Sequence, residues 1–502
     1  MVGAGVGGLA CAVDLAARGI PVRVLERASG PGGKARTVEV DGVGVDAGPT
    51  VLTMPWVFDE LFEAAGATFR EAVPLERAQV LARHAWPDGT WLDLFAELGR
   101  AADAIGEVFG AAEARAYRAF RDDARRIFEI SENAFLRSQR LTLGGIVAEF
   151  GAAGLAALAR LDSHRSMWRS LERRFSDPRL RQLFGRYATY CGSSPFEAPA
   201  TLNLITHVEC EGVYRARGGM SGLMRGLARL ARSLGVELQH DASVDRIVVE
   251  RGRAVGVRAG GALHRAAAVV FNGDVSALGR GLLGAPAADG VRPTPRGARS
   301  LSAVTWAMRA RPRGAPLLHH NVFFGDDYRN EFEALLRRGE VPADPTVYVC
   351  AQDRADVEIE PPDERILVLM NAPPNGDEPG RWDEAERRRC TTVMQKVLRR
   401  SGLSLEPTAT VQTTPREFEA RFPATGGALY GPRWKGATSV LARAGASAKV
   451  PGLYLAGGSV HPGPGVPMAA LSGRLAAEKV SEDLGSIARS RTAATSGTTS
   501  TG

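Results

Sequence analysis

Cysteine is scarce in this chain and long apolar runs are absent, and each deficit excludes a class of protein. The 502 residues contain five cysteines without C-x-x-C spacing, at Cys11, Cys191, Cys210, Cys350 and Cys390. An odd, scattered set argues against a disulfide framework and against a zinc site. No run of about 18 apolar residues occurs, so a membrane-spanning helix is not predicted. Because no signal peptide precedes the first motif, we expect the protein in the cytoplasm or attached to a membrane face.

Acidic residues are slightly outnumbered by basic ones. The 63 Lys and Arg against 56 Asp and Glu give a formal net charge of +7. Such an excess of positive charge suits binding to an anionic membrane surface or a nucleic acid. The alternative explanation is a GC-rich genome, which favours arginine codons. No nucleic-acid-binding motif accompanies the excess, so we expect no nucleic-acid partner. The length, with 44% hydrophobic residues, predicts a large core in about two or three domains.

The chain opens on a glycine-rich turn, G-x-G-x-x-G, formed by Gly3, Gly5 and Gly8. In this motif the first glycine permits a tight turn, the second lets the backbone approach a pyrophosphate, and the third lets a helix pack closely on its strand. A helix over Gly8–Arg18 would direct its positive N-terminal end at the phosphates. Glu26 closes a predicted strand and can accept hydrogen bonds from a ribose diol. Together these features predict a dinucleotide site, although such a turn alone also occurs without a ligand.

The segment after Glu26 indicates which dinucleotide is bound. A glycine pair and two cations, Lys34 and Arg36, follow at once, where a nicotinamide enzyme would continue into its next helix and strand. The run Val45-Asp46-Ala47-Gly48-Pro49-Thr50 comes next. This order resembles the FAD-binding amine oxidase and carotenoid desaturase superfamily, in which the G-G-[KR] loop lies along the flavin's phosphates. Taken alone, the glycine pair would be interpreted as a β-turn and the cations as a solvated surface.

Only Met1 and Val2 precede the glycine turn. The first strand of such a fold usually needs about five residues, and it lies in the middle of the sheet. The sequence therefore predicts either a start that lies too far downstream or a truncated fragment. A chain that begins at Met1 is expected to retain flavin poorly.

The strand and helix patterns predict an interleaved α/β architecture. A Rossmann-like FAD-binding domain of the three-layer ββα type is assembled from the separated segments 1–75, 206–275 and 441–484. An inserted α+β substrate domain comes from 76–205 and 276–440. The tail 485–502, rich in Ser, Thr, Gly and Ala, is predicted to be disordered.

Individual elements follow from the same patterns. Helical periodicity covers about 95–190, and helices are predicted over Ser221–Leu234, near Asp383–Ser401 and over Met468–Val480. Strands are predicted at Val208–Arg215, Val236–His240, Val244–Glu250, Ala254–Arg258, Ala266–Phe271, Leu301–Arg309, Thr346–Ala351 and Ile366–Asn371.

A second motif lies near the C-terminus, where a strand runs into the turn Gly457-Gly458 and a loop rich in glycine and proline. Pro467 suits a first helical turn, because its missing N–H is not needed there. The helix that follows would point its free N–H groups at whatever lies before it, which in flavoproteins is commonly the pyrimidine edge of the flavin. A surface loop is the alternative. His461 lies in this loop, where a packing or hydrogen-bonding role is favoured over a catalytic one.

Several segments resemble bacterial phytoene-desaturase-type enzymes: Gly3–Glu26, 31–34, 46–52 and the loop Gly457–Met468. Others resemble one branch, the 1-hydroxycarotenoid 3,4-desaturases (methoxyneurosporene dehydrogenases): 81–86, 186–195, 320–324, 348–354 and 422–431. The resemblance covers nearly the whole chain apart from the tail. It departs from the family at the missing start of the first strand.

This resemblance implies that FAD is the cofactor and that the substrate is an acyclic carotenoid with a 1-hydroxyl or 1-methoxyl group. The reaction implied is C3–C4 desaturation, in which one carbon gives a hydride to the flavin and its neighbour loses a proton. The residues implied to contact FAD are Gly3, Gly5, Gly8, Glu26, Arg27, Gly33, Lys34, Pro49, Thr50, Val244, Gly457, Gly458, Val466, Pro467 and Met468. No general base stands out, so no catalytic residue and no metal ligand are predicted.

Other activities occur on this fold. Phytoene desaturases, carotenoid isomerases and amine oxidases share it, and prenyl-protein escort proteins bind lipid on it without redox chemistry. An amine oxidase would carry an aromatic cage beside the flavin, where the motif here offers His and Pro. The intact phosphate and flavin loops argue against an escort protein. The sequence leaves the electron acceptor and the oligomeric state open.

A water-insoluble substrate has to enter from a membrane. The apolar stretch Leu141–Leu161, broken only by Glu149 and Arg160, adjoins an arginine-rich aromatic stretch, His164–Tyr190. An apolar surface beside a basic one predicts an interfacial contact, with the protein peripheral to the inner membrane. A buried helix beside a solvated one is the alternative.

Overall fold

The computed structural model describes residues 1–136, 138–139, 164–355, 363–437, 439 and 443–496. The first part contains helices α1 (Val6–Ala17), α2 (Trp56–Ala64), α3 (Phe69–Ala72), α4 (Leu98–Phe109) and α5 (Ala111–Ser131), then a π-helical turn (Glu132–Leu136). Its strands are β1 (Arg23–Leu25), β2 (Thr37–Val40), β3 (Val43–Asp46), β4 (Leu75–Arg77), β5 (Val80–Ala85) and β6 (Trp91–Phe95).

The middle part contains helices α6 (Met167–Glu172), α7 (Pro178–Gly185), α8 (Leu204–Glu211), α9 (Gly219–Ser233), α10 (Val275–Gly279) and α11 (Ala285–Ala288). Short 3-10 helices lie at Arg186–Cys191, Ala200–Asn203 and Arg296–Ala298. Its strands are β7 (Tyr214–Ala216), β8 (Glu237–Gln239), β9 (Val244–Glu250), β10 (Arg253–Ala259), β11 (Ala262–Arg265) and β12 (Val269–Phe271).

The last part contains strands β13 (Ser302–Gly314), β14 (His320–Phe323), β15 (Val347–Ala351), β16 (Glu364–Ala372), β17 (Leu403–Thr413) and β18 (Leu453–Leu455). Its helices are α12 (Tyr328–Glu333), continued by a π-helical turn (Ala334–Arg338), α13 (Glu384–Arg400), α14 (Pro415–Arg421) and α15 (Val466–Ser496).

A parallel sheet takes the first two residues of the chain as its middle strand. Val2 pairs in parallel with Leu25 of β1 on one side and with Phe271 of β12 on the other. Outside these, β8 pairs with β1 and β18 with β12, also in parallel. The amino group of Met1 donates to the carbonyl oxygen of Arg23 at 2.8 Å. Residues 1–2 therefore lie at the position of the first strand of the fold.

Helices α1, α9 and α15 cover one face of this sheet. Leu9, Leu223 and Leu471 belong to one apolar cluster together with Val24 of β1. α1 and α15 approach closely at Gly473, where a β-carbon would overlap the carbonyl oxygen of Gly7. Burial of this continuous apolar surface is the main stabilising contribution to the layer.

An antiparallel sheet, in the order β11-β10-β9, covers the other face. Ile247 and Val257 of this sheet pack in one cluster with Leu25 and Phe271 of the parallel sheet. The order of layers is therefore antiparallel sheet, parallel sheet and helices. The predicted three-layer ββα arrangement is confirmed.

A seven-stranded mixed sheet lies beside this unit, in the order β17-β13-β16-β15-β14-β5-β6. Its side chains alternate between two faces, as the pleat requires. On one face, Trp306 and Val368 belong to one apolar cluster with Met394 of α13. On the other face, Leu367 and Leu369 of β16 line a large cavity. The alternation thus directs one set of residues into a core and the next set toward a candidate site.

Two predicted elements differ from the structure. Residues predicted as a strand over Val208–Arg215 form the end of helix α8 and the short strand β7. This helix buries one side, which includes Thr206 and Cys210. A helix forms here because that tertiary packing outweighs the β propensity of valine and tyrosine. The tail predicted to be disordered from Gly485 continues α15 as far as Ser496, in a stretch that contains good helix formers such as Ala and Arg.

The predicted membrane-contact surface is only partly within the described residues. Leu141–Leu161 lies outside them. In the adjoining stretch Met167, Phe175 and Phe184 are at most 1% exposed, so these side chains belong to a core rather than to an exposed apolar patch. Across the described parts of the chain, no helix combines the length and apolar character that crossing a membrane requires.

Candidate functional site

One cavity of about 1010 Å³ reaches from the glycine turn to the seven-stranded sheet. All the predicted FAD-contact residues except Gly8 line it: Gly3, Gly5, Glu26, Arg27, Gly33, Lys34, Pro49, Thr50, Val244, Gly457, Gly458, Val466, Pro467 and Met468. Residues from both ends of the chain therefore meet around a single space. We call the part built by the glycine turns the nucleotide end, and the part lined by helices α5 and α8 and the seven-stranded sheet the apolar end.

The glycine turn places bare backbone against the cavity. Gly3 has φ +96°, a conformation that glycine adopts without strain. Gly8 does not line the cavity, and a β-carbon there would overlap the carbonyl oxygen of Gly3. Its role is therefore to let α1 pack on the turn. The N-cap of α1, Gly5, makes no side-chain capping bond, so the first N–H groups of α1 are available to an anion.

Glu26 follows β1 at the rim of the same space and is 7% exposed. Its carboxylate accepts hydrogen bonds from the backbone N–H of Ala4 at 2.6 Å and of Ala28 at 2.9 Å. These two donors fix the position of the carboxylate, which keeps further acceptor capacity for a hydroxyl donor.

Asn272 is a residue of this end that sequence reasoning missed. It directly follows β12, and its Nδ2 donates to the carbonyl oxygen of Gly3 at 3.3 Å. A β-carbon on Gly5 would lie 3.1 Å from that same Nδ2, and one on Gly457 would lie 2.9 Å from Oδ1. The side chain therefore fills the space between the N-terminal and C-terminal glycine turns. Its only sequence signal was an Asn-Gly pair after a strand, which we interpreted as a turn.

The Gly32-Gly33 segment lies against the first turn. The N–H of Gly32 donates to the carbonyl oxygen of Ala4 at 3.0 Å. A β-carbon on Gly33, whose φ is +60°, would lie 3.3 Å from the Cα of Gly5. Lys34 donates from Nζ to the carbonyl oxygen of Leu429 at 2.5 Å, and burial lowers the pKa of its ammonium group. The loop thus packs its backbone against the first turn and adds the Lys34 side chain to the cavity lining.

The C-terminal glycine loop is held by a buried arginine, which the sequence did not reveal. Arg443 is 4% exposed and donates to the carbonyl oxygens of Gly458 at 3.1 Å, Tyr430 at 3.1 Å and Pro432 at 2.7 Å. Burial lowers the pKa of this guanidinium group to about 10. α15 then begins at Val466, with Pro467 in its first turn, and both residues face the cavity.

His461 has the environment of a packing residue. It is 4% exposed, and its ring meets the edge of Phe135 with centroids 4.8 Å apart. Burial lowers its pKa to about 4, so the imidazole is neutral at physiological pH. It is not among the residues that line the cavity, whereas its neighbour Pro462 is.

A chain of three polar groups runs from the cavity wall into the core. The hydroxyl groups of Thr50 and Tyr348 are 2.8 Å apart, and that of Tyr348 lies 2.7 Å from Nδ1 of His320. Burial raises the pKa of Tyr348 and lowers that of His320, so both groups are neutral. Ligand-type atoms of His319, His320 and Cys350 also lie within 4.8 Å of one another, a grouping that cysteine spacing alone did not predict.

The apolar end is lined from several separated segments. Its aliphatic and aromatic side chains include Phe128, Ile130, Phe135, Leu136, Leu202, Leu204, Ile205, Val208, Leu367, Leu369, Phe418 and Phe422. Sequence reasoning assigned none of them to a site. Because an elongated hydrocarbon makes only non-directional contacts, residues of this kind carry no local motif.

The nucleotide end fits FAD. Closely packed glycine backbone, a fixed carboxylate after β1, the Lys34 side chain and the N-termini of α1 and α15 meet in one cavity. A pyrophosphate needs N–H donors and close backbone approach, and a ribose diol needs a carboxylate acceptor. The chemistry of this donor set therefore matches an adenine dinucleotide.

Comparison with known proteins agrees with this geometry. The flavin containing amine oxidoreductase family matches residues 6–481. The chain is similar to the hydroxyneurosporene desaturase of Rubrivivax gelatinosus, with 50% identity over 100% of this chain and 96% of that protein. It is also similar to the hydroxyneurosporene desaturase of Cereibacter sphaeroides, with 44% identity over 97% of this chain and 98% of the other.

Two solved structures share the fold. An oxidoreductase from Methanosarcina mazei has a TM-score of 0.58 at 16% identity, covering 96% of this chain and 99% of its own. Putrescine oxidase bound to putrescine has a TM-score of 0.57 at 15% identity, covering 95% of this chain and 97% of its own. At these identities the likeness concerns the fold alone.

Proposed function

We propose that this chain, which belongs to the flavin containing amine oxidoreductase family and within it to the carotenoid desaturases, introduces the C3–C4 double bond into acyclic 1-hydroxy or 1-methoxy carotenoids. The observation that carries the proposal is one continuous cavity with a dinucleotide-type end and a long apolar end. The two relatives named hydroxyneurosporene desaturase, each matched over nearly their whole length, support the substrate class.

The residues proposed to hold FAD divide by the part of the cofactor they suit. The bare backbone at Gly3, Gly5 and Gly33 suits the pyrophosphate, and the carboxylate of Glu26 suits a ribose diol. The first turn of α15, which includes Val466 and Pro467, suits the flavin. When bound, FAD supplies the acceptor for the hydride lost from C3 or C4.

The rest of the chemistry depends on what the chain's own residues do. The apolar end excludes water and holds the polyene, so that the C3–C4 bond can lie next to the flavin site. The adjacent carbon then loses a proton, which the growing conjugation makes easier. The hydroxyl groups of Thr50 and Tyr348 are cavity-lining polar groups that meet at the boundary between the two ends. No side chain is assigned as general base.

Co-expression with a producer of 1-hydroxylated acyclic carotenoids tests the proposal. We expect a new pigment with one more conjugated double bond and absorption at longer wavelength, and a yellow, flavin-containing protein on purification. A change of pigment geometry with almost no spectral shift would indicate an isomerase. A protein that lacks flavin and binds carotenoid without converting it would indicate an escort-like role. Either result would contradict the desaturase proposal.

The two proposed domains are each built from separate segments of the chain. Segments 1–75, 206–275 and 441–484 are proposed to form the FAD-binding domain, and 76–205 with 276–440 the substrate domain. Because a carotenoid is insoluble in water, we propose a location in the cytoplasm, peripheral to the inner membrane. Liposome flotation tests this location: charged substitutions in Leu141–Leu161 should abolish binding, and unchanged flotation would refute that contact.

A further inference from the structure

Among the polar side chains that line the apolar end of the cavity, three belong to residues with charged or phenolic groups on neighbouring elements. Arg186 and Tyr190 come from the 3-10 helix Arg186–Cys191, and Glu209 comes from helix α8. All three line the cavity. A hydrocarbon tail gives such groups nothing to bind, whereas a ligand with an oxygen atom at this end would satisfy the donors and acceptors that remain free.

Glu209 is a buried carboxyl group that accepts a hydrogen bond from a residue outside the cavity lining. It is 5% exposed, and its Oε2 accepts a hydrogen bond from the hydroxyl of Tyr187 at 2.6 Å. Tyr187 is not among the residues that line the cavity, whereas Glu209 is. Burial raises the pKa of Glu209, while the hydroxyl groups of Tyr187 and Tyr190 and the charge of Arg186 act in the opposite direction. In either protonation state the carboxyl keeps an acceptor oxygen for a ligand.

Arg186 is a cation with unused donors. Its guanidinium group lies over the rings of Tyr190 and Tyr348, at 5.5 Å and 5.4 Å from their centroids. Its one hydrogen bond to the described residues is a long one, from Nη1 to the hydroxyl of Tyr190 at 3.4 Å. Within the described parts of the chain it forms no ion pair. A guanidinium group has five N–H donors, so most of these remain for an acceptor in the cavity.

We propose that Arg186, Tyr190 and Glu209 form the subsite that recognises the oxygen at the end of the carotenoid, and that they select a free hydroxyl group over a methyl ether. A tertiary hydroxyl oxygen accepts a hydrogen bond from Arg186 while its O–H donates to Glu209. A methyl ether can accept but not donate, and a hydrocarbon end does neither. This inference rests on the proposed function, which it deepens by naming the groups that choose the substrate.

The test compares three substrates with the same polyene: the tertiary alcohol, its methyl ether and the parent hydrocarbon. For the unaltered protein loaded with FAD, we expect kcat/KM to fall in that order, by about 100-fold from alcohol to hydrocarbon. Glu209→Met, which is of similar size and has no acceptor oxygen, should lower the alcohol-to-ether ratio about tenfold and leave the ether-to-hydrocarbon ratio unchanged. Arg186→Met should lower the ether-to-hydrocarbon ratio. The dissociation constants of the three carotenoids, measured by polyene absorbance, should follow the same pattern.

Thr206→Val is the matched control. Thr206 lies on the same helix α8, is 1% exposed, does not line the cavity, and its hydroxyl has no partner among the described residues. We expect this variant to keep every substrate ratio. FAD content and the unfolding midpoint establish that each variant is folded.

The possible outcomes separate the two proposals. If the unaltered protein desaturates the alcohol but Glu209→Met and Arg186→Met both keep its substrate ratios, the subsite is wrong and the desaturase function stands. If the unaltered, FAD-loaded protein converts none of the three carotenoids, the proposed function fails and the subsite with it.

Discussion

The two ends of the cavity are built on opposite principles. The nucleotide end consists largely of backbone: Gly3 has a positive φ, Gly5 and Gly33 leave little room for side chains, and Glu26 is fixed by two N–H groups. The apolar end consists of side chains from elements far apart in the chain, such as Leu369 on β16. Directional binding of phosphate and ribose needs local geometry, whereas a polyene needs only a surface of the right shape. A substitution should therefore disturb one end without disturbing the other.

The largest expected effect is at the glycine turn. Gly8→Ala places a β-carbon onto the carbonyl oxygen of Gly3, so α1 has to move away from the turn. We expect a loss of about 3 kcal/mol in the free energy of unfolding and little FAD in the purified protein. The control is Gly30→Ala, because a β-carbon at Gly30 meets no atom within 4 Å. Normal FAD content in Gly8→Ala would refute the view that FAD binding requires α1 to pack closely on the glycine turn.

Glu26→Gln tests the nucleotide end without a steric change. The amide can accept one of the two backbone N–H bonds, but its NH₂ group would then face the other donor. We expect FAD affinity to fall about 30-fold, which corresponds to about 2 kcal/mol, while the affinity of the apoprotein for carotenoid stays constant. FAD titration followed by flavin fluorescence measures the change. An equal loss of carotenoid affinity would contradict the independence of the two ends.

The smallest expected effect is at the boundary between the ends. Tyr348→Phe removes the hydroxyl group that lies between Thr50 and His320. We expect kcat for desaturation to fall about fivefold, or about 1 kcal/mol, with unchanged FAD content. Tyr328→Phe is the matched control, since the hydroxyl of Tyr328 is buried without a partner among the described residues. Loss of FAD from Tyr348→Phe would show that the two ends are coupled.

Much of the fold was predictable, and the exceptions have a common cause. The three-layer ββα unit, the family and FAD followed from the glycine turn, Glu26 and the loop around Pro467, and these predictions are confirmed; the individual FAD contacts stay predictions. The strand predicted at Val208–Arg215 is wrong because its residues bury one side of helix α8. Asn272 was missed because it acts on backbone that lies far from it in the chain. Arg443 was missed because no local motif marks an arginine whose partners are backbone carbonyls of neighbouring loops.

The sequence by itself determined the first glycine turn of the nucleotide end, since a tight turn, a helix start and a carboxylate are specified by residues within one short segment. Only the tertiary structure decided the apolar end, where Arg186 and Glu209 reach the same cavity as Leu369 from three different elements. Contacts between such distant positions depend on how helices and the seven-stranded sheet pack. Apolar side chains look the same in a sequence whether they fill a core or line a cavity for a substrate.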